Sequence, residues 1–130
     1  MREIIFRGYN RKNGHWLYGS YVRNRGVDFV CPDEFAEGKS WDDYEVDSAS
    51  LGEYTGMGDR FSNEIYEGDI VKHPCIDPIF GDLVDGTSTE SPVVFHDGAF
   101  VVKYGEDDFI YLDAFVRKGR IEVVDSVYKV

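Results

Sequence analysis

The chain has 130 residues, 15% of them aromatic, and a formal net charge of −11, which is room for one ordinary domain. It holds no apolar run of bilayer length and no hydrophobic leader after Met1, and its two cysteines, Cys31 and Cys75, make no disulfide framework. A soluble protein of a reducing cytoplasm is therefore expected, and the acidic total argues against tight general binding of the whole domain to a phosphate backbone.

The chain opens with a hairpin. Glu3–Tyr9 is β-rich, Asn10–Gly14 carries an Asn-Gly turn signal, and His15–Arg23 is the return strand. Alternation puts Trp16, Tyr18 and Val22 on one face. Gly8 and Gly19 interrupt the strands, which points to a bulge or to the close approach of another backbone. Val27–Cys31 is a short apolar strand stopped by Pro32-Asp33. Asp33–Gly38 has the acids and the glycine of a single helical turn, and Trp41–Asp47 alternates like a strand. Asp42, Asp43, Glu45 and Asp47 lack the spacing of a calcium loop, so a solvated acidic rim is expected.

Leu51–Lys72 (LGEYTGMGDRFSNEIYEGDIVK) is the densest motif. Its glycines mark sharp turns beside packed aromatics, and Met57–Asn63 reads as an exposed loop. A tight turn at Glu67-Gly68-Asp69 feeds a strand from Ile70, with the Asp69 carboxylate placed to accept a backbone N–H. Pro74–Pro92 reads as a long polar excursion that projects from the fold. His73, Cys75, Cys31 and His96 have no paired metal-ligand spacing; His73 is expected at the surface, Cys75 as a partly buried hydrophobe. Pro92–Lys103 is a second hairpin about Asp97-Gly98, a dipeptide suited to a type I′ turn. A short helix is expected over Ile110–Val116, capped by Asp107 or Asp108 and stopped at Arg117-Lys118-Gly119. Arg120–Val124 is the last strand, with a bend at Asp125.

These elements predict a mainly β fold: a small SH3-like barrel or roll of short antiparallel strands and hairpins, with one short helix near the C-terminus. It reads as a single domain over 1–130, with the hairpin 1–26 as a subregion and a barrel-like part from about 51 to 130.

Charge is unevenly placed. Residues 1–26 carry Arg2, Arg7, Arg11, Lys12, Arg23 and Arg25 against one acid, Glu3; beyond them acids predominate. That asymmetry points to complementary surfaces, within one chain or between subunits, or else to two solvated faces.

The opening REIIFRGYNRKNGHWLYG, the block LGEYTGMGDRFSNEIYEGDIV, the hairpin VVFHDGAF and the ending IEVVDSVY, in this order, resemble the YopX family of bacteriophage and prophage proteins. The resemblance rests above all on Gly52, Tyr54, Thr55 and Gly56 with Glu64, Ile65, Tyr66, Glu67, Gly68, Asp69, Ile70 and Val71. Phe61-Ser62-Asn63 and Asp125-Ser126 depart from the family's usual turns. The resemblance implies a β-rich fold with an SH3-like component and a small phage or prophage accessory protein in the cytoplasm of a bacterial host. It brings no activity, cofactor or catalytic residue.

No catalytic or metal motif stands out. The leading expectation is a non-catalytic binding or self-associating module, a homo-oligomer or the binder of a host or phage protein. Its contact surface would be Arg7, Arg11, Lys12, Trp16, Tyr18, Arg23 and Arg25. The alternative is a nucleic-acid-related role, by phosphate contact through the basic hairpin or by acidic mimicry toward a host enzyme. A small hydrolase would need a pocket holding a perturbed histidine or carboxylate. No cofactor, metal or membrane partner is expected.

Overall fold

The computed structural model describes residues 4–130; Glu3, where the first strand is expected to begin, lies outside them, as does Arg2. Among the described residues the chain is mainly β. The strands are β1 Phe6–Asn10, β2 His15–Asn24, β3 Val27–Cys31, β4 Gly52–Gly58, β5 Glu64–Tyr66, β6 Asp69–Ile76, β7 Leu83–His96, β8 Ala99–Lys103, β9 Phe109–Tyr111 and β10 Glu122–Ser126, with one short helix, α1 Leu112–Val116. They form antiparallel sheets of order β3-β2-β1-β4-β5 and β10-β6-β7-β8-β9, and neither sheet closes on itself. The chain divides into two compact units, one ending at Tyr54 and one starting at Thr55. No helix among the described residues is long and apolar enough to cross a membrane.

In the first unit, β1 pairs with β2 so that Arg7 faces Tyr18 and Tyr9 faces Trp16. The opposite face of the hairpin carries Gly8 and Asn10, which with Asp28 and Val30 of β3 are buried. Residues 44–46 lie along β3, the Val30 N–H donating to the Tyr44 carbonyl at 3.0 Å and the Val46 N–H to that of Asp28 at 2.9 Å. Both strand glycines serve close approach, as their positions imply. A Cβ on Gly8 would stand 2.6 Å from the Val46 side chain, and one on Gly19 only 2.1 Å from the Cys31 carbonyl oxygen.

The stretch after β3 departs from expectation. Asp33–Gly38 forms no helical turn, and Trp41–Asp47 is not a strand: a 3-10 turn spans Trp41–Asp43, and another covers Ser48–Ser50. The cause is Asn10. Its buried amide donates to the carbonyls of Asp42, Asp43 and Glu45 at 3.2, 3.1 and 2.8 Å, turning them inward where a strand would point them sideways to a neighbour.

The second unit has its core in Ile65, Val71, Val93, Phe100, Val102, Leu112, Phe115 and Ile121. The β7–β8 hairpin turns at Asp97-Gly98, both with positive φ, 48° and 83°. That matches the type I′ expectation. Pro74–Pro92, read as a loop from its prolines and polar residues, is mostly strand: β6 runs on to Ile76 and β7 starts at Leu83. Pro74 is tolerated because it sits in a register shift between His73 and Cys75, where its missing N–H breaks no ladder bond. The Cys75 N–H donates instead to the Thr87 hydroxyl at 3.0 Å. At the far end, pairing of Phe109–Tyr111 with β8 delays α1 to Leu112, and neither Asp107 nor Asp108 caps it. Gly119, φ +61°, follows it as expected. β10 bulges between Val123 and Asp125 where a bend is expected.

Candidate functional site

The basic hairpin is largely neutralised by the acids of its own unit. Arg11 donates through Nε and Nη2 to one oxygen of Asp47, at 2.9 and 2.7 Å. Lys12 reaches Asp42 at 2.9 Å and Asp43 at 3.0 Å. Arg23 lies 3.3 Å from Asp28, its partner across the β2–β3 ladder. Arg25 occupies the β2–β3 turn with φ 52°, exposed.

These pairs and their neighbours hold the acids ionised. The Ser40 N–H, then the Asn13 amide and Lys12, keep the Asp43 carboxyl well below the usual range. The Ser40 hydroxyl and then Lys12 lower Asp42. Asp28 is buried, yet hydroxyl donors from Ser48 and Tyr21, with Arg23 beside them, hold it down. Lys12 is raised in turn by Asp42 and then Asp43. A hollow of about 390 Å³ lies here, and Arg11, Lys12, Asp28, Asp42 and Asp47 all contribute to its wall. With both signs represented it selects for neither anions nor cations.

The remaining members of the expected surface form an aromatic face on β1 and β2. The Arg7 guanidinium carbon sits 4.9 Å from the centre of the Trp16 ring, and Tyr9 meets Trp16 edge-on at 5.5 Å. Tyr18, opposite Arg7 in the ladder, is 53% exposed. So the structure keeps Arg7, Trp16 and Tyr18 together and draws Arg11, Lys12 and Arg23 into ion pairs with acidic segments.

The glycine-rich motif does structural work. Asp69 is buried and accepts the Tyr66 N–H at 2.7 Å, the turn bond its position implies. Thr55 is buried and donates to the Ile65 carbonyl at 2.7 Å, and the Tyr66 hydroxyl donates to Glu64 at 2.9 Å. Gly52 is buried, Tyr54, Glu67 and Ile70 are half-buried, and Ile65 and Val71 are in the core. Gly56 and Gly68 have positive φ, 80° and 92°.

Three side chains carry more than their sequence positions reveal. Asn10, read as a turn residue, is the anchor described above. Asp59 lies in the stretch expected to be an exposed loop, yet it is buried. One oxygen accepts the N–H groups of Phe61 and Asn63, both at 2.9 Å, and the other that of Val123 at 3.0 Å. Burial alone would push its carboxyl up; the N–H donors of Val123, Asn63 and Phe61 outweigh that and lower it. Its place after Gly58, followed by Asn63, was the available Asx-turn signal.

His73, expected at the surface, is 2% exposed. Its Nδ1 lies 2.7 Å from the Pro74 carbonyl, which only accepts, so Nδ1 carries the proton and Nε2 accepts from the Ser91 hydroxyl at 2.8 Å. Burial against Phe115, 4.9 Å away, lowers its pKa. A hydroxyl and a base thus meet, but Ser91 is buried within the β6–β7 ladder opposite Val71, out of a substrate's reach. His73 also borders a hollow of about 340 Å³ whose wall includes Arg60, Lys72 and Arg120. Among the described residues no group of His, Cys, Asp and Glu has the arrangement of a metal site.

No curated protein matches this chain. A solved structure, the crystal structure of protein EF1440 from Enterococcus faecalis, is similar in fold, with a TM-score of 0.57 at 14% sequence identity, covering 98% of this chain and 94% of that one. The YopX protein family model matches residues 5–129, nearly the whole length, and the chain belongs to that family.

Proposed function

We propose that the chain is a non-catalytic binding or self-associating module of phage or prophage origin, acting in the bacterial cytoplasm. The observation that carries this reading is the β1–β2 face, where Arg7 lies over Trp16 and Tyr18 stands exposed beside them. Arginine, tryptophan and tyrosine are the residues that dominate interface energetics. Two free cysteines agree with a reducing compartment. The β10-β6-β7-β8-β9 sheet reads as SH3-like: its last strand, β10, follows a single helical turn and returns to pair with the first strand of that sheet, β6. That is the connection order of the small barrel, here left open.

The test is affinity capture of the tagged chain from host lysate, with nuclease, beside a Tyr18→Ala variant. A discrete protein, or untagged copies of the chain, caught by the first and lost by the second supports the reading. An identical catch from both overturns the assignment of this face.

The nucleic-acid alternative is favoured only in its mimic form. Ion pairing of Arg11, Lys12 and Arg23 weakens a phosphate-contact role, whereas no Lys or Arg occurs from His73 to Val102, a stretch that carries Asp77, Asp82, Asp85, Glu90 and Asp97. Capture of a nucleic-acid enzyme in the same experiment would favour that mimicry.

A further inference from the structure

The second unit is acidic along most of its length, and one hollow reverses that sign. Acids outnumber bases from Thr55 to Val130, yet the hollow of about 340 Å³ has Arg60, Lys72 and Arg120 in its wall against a single carboxylate, Glu122. Three separate segments bring the cations there. Arg60 follows Asp59 in the loop after β4, and its N–H donates to the Ile121 carbonyl at 3.0 Å, which fixes it beside the start of β10. Lys72 is on β6, opposite Glu122 in one ladder and Glu90 in the other. Arg120 follows α1, and its N–H donates back to the Phe115 carbonyl at 3.1 Å.

The protein's own acids leave these cations largely available. Among the described residues neither Arg60 nor Lys72 forms an ion pair, and the Ser88 side chain, also in the wall, makes no hydrogen bond. Arg120 reaches Asp85 at 2.5 Å, but that carboxylate is 89% exposed, and a pair so open to water contributes little. Asp85 shows what the Arg120 guanidinium takes, an anionic oxygen, and an incoming anion can displace it. The wall then holds two positive charges beyond its negative one. A phosphate monoester carries about 1.5 to 2 negative charges at neutral pH, and guanidinium forks with an ammonium suit its oxygens. The volume suits a small molecule. A long polyanion is disfavoured, because the β6–β7 hairpin that forms one side of the hollow also carries Asp77, Asp82 and Glu90.

We propose that this hollow is a binding site for a small phosphate monoester, held by Arg60, Lys72 and Arg120 with the Ser88 hydroxyl donating to it. Asp85 is an internal competitor for Arg120, and Glu122 limits the charge the site accepts. The site belongs to the second unit and goes beyond the proposed function, since it does not depend on the Trp16 face.

The experiment is a titration of the full chain with inorganic phosphate and with glycerol phosphate, followed by amide nuclear magnetic resonance at an ionic strength held fixed with sodium chloride. Saturable shifts at Lys72, Ser88 and Arg120 are expected. Arg60→Ala with Lys72→Ala is expected to weaken binding by roughly tenfold or more, while Lys103→Ala on β8 and Tyr18→Ala leave it unchanged. Asp85→Asn is expected to tighten it about two- to fivefold by freeing Arg120, a gain that misfolding cannot produce. No saturable shift at fixed ionic strength overturns the proposal. So does binding that the double variant retains, or that Lys103→Ala loses equally, and so does an Asp85→Asn variant that binds no better than the wild type. An oligonucleotide that binds there more tightly than glycerol phosphate also overturns it, and assigns the hollow to nucleic acid. None of these failures touches the β1–β2 face, whose own test is capture beside Tyr18→Ala.

Discussion

The carboxylate of Asp59 accepts the main-chain N–H of Val123 at 3.0 Å, joining the loop after β4 to the first residues of β10 across 64 positions of sequence. The same side chain holds the N–H groups of Phe61 and Asn63. Asp59→Ala strands these donors in a buried site, and each unsatisfied group costs about 1–3 kcal/mol. A clear fall in thermal midpoint is expected, while Asp82→Ala in the exposed turn between β6 and β7 should leave it nearly unchanged.

The same carboxylate sets a pH dependence. Its pKa is lowered in the folded state from an ordinary value of 3.8. Its contribution is therefore complete above that value and is lost as pH falls through the lowered one. Asp28 acts in the same direction. Acid titration followed by near-ultraviolet circular dichroism should show unfolding starting below about pH 4, and Asp59→Asn should flatten that limb while lowering stability at neutral pH.

His73 works over a different window. Burial holds its pKa below the ordinary 6.5, so the unfolded chain takes up a proton that the folded one resists. The stability this gives is fully present above the ordinary value and declines as pH drops from there toward the lowered folded value. Urea midpoints for the wild type should be lower at pH 5 than at pH 7.5. His73→Asn should start from a less stable state and lose most of the difference between the two pH values. A wild-type midpoint that does not change over this interval would contradict the neutral, Ser91-bonded imidazole.

Gly8 and Gly19 are expected to tolerate no Cβ. Each alanine substitution should cost about 1–3 kcal/mol through overpacking, Gly8→Ala against Val46 and Gly19→Ala against the Cys31 carbonyl. Gly19→Ala should be the worse, because a backbone oxygen cannot rotate aside as a valine side chain can. Denaturant midpoints of the two variants give the comparison directly.

Arg11→Ala with Lys12→Ala breaks three exposed ion pairs. Exposed pairs contribute little and are screened by salt, so a small loss of thermal stability at low salt, vanishing at high salt, is the expected outcome. Binding to a single-stranded oligonucleotide should not change, since both cations already serve acids of their own unit. A steep, salt-sensitive loss of oligonucleotide binding would restore the phosphate-contact role.

Where local chemistry decides the structure, it could be read from the residues. Asp97-Gly98 turns as its dipeptide requires, Asp69 caps its own turn, and Gly8 and Gly19 sit where something presses close. Misreadings arise where a distant group overrides the local pattern. Trp41–Asp47 alternates like a strand, but the Asn10 amide, 32 to 35 positions earlier, claims its carbonyls. Pro74 and the DGTSTES run look like loop, yet a register shift absorbs the proline and β-branched Thr87 and Thr89 extend the strand. His73 looks like a surface histidine because Ser91 and Phe115, which enclose it, are far off in sequence. For the candidate surface, composition showed which cations were present but could not pair them. That pairing is set by the fold of residues 42–47 over the hairpin and, for Arg23, by the β2–β3 ladder that brings Asp28 alongside.

The order in which strands neighbour one another also orders their formation in time. β7 and β8 meet across the two residues Asp97 and Gly98, whereas β6 finds its second neighbour only when Glu122 arrives opposite Lys72. Closing the short loop costs little entropy and closing the long one more. On a ribosome, β6 emerges long before β10 and waits with one edge bare, a template for misassembly between nascent chains. The second unit is thus expected to complete itself last at β10, with the amide of Val123 protected late in pulse-labelled hydrogen exchange and those of Val101 and Val102 early.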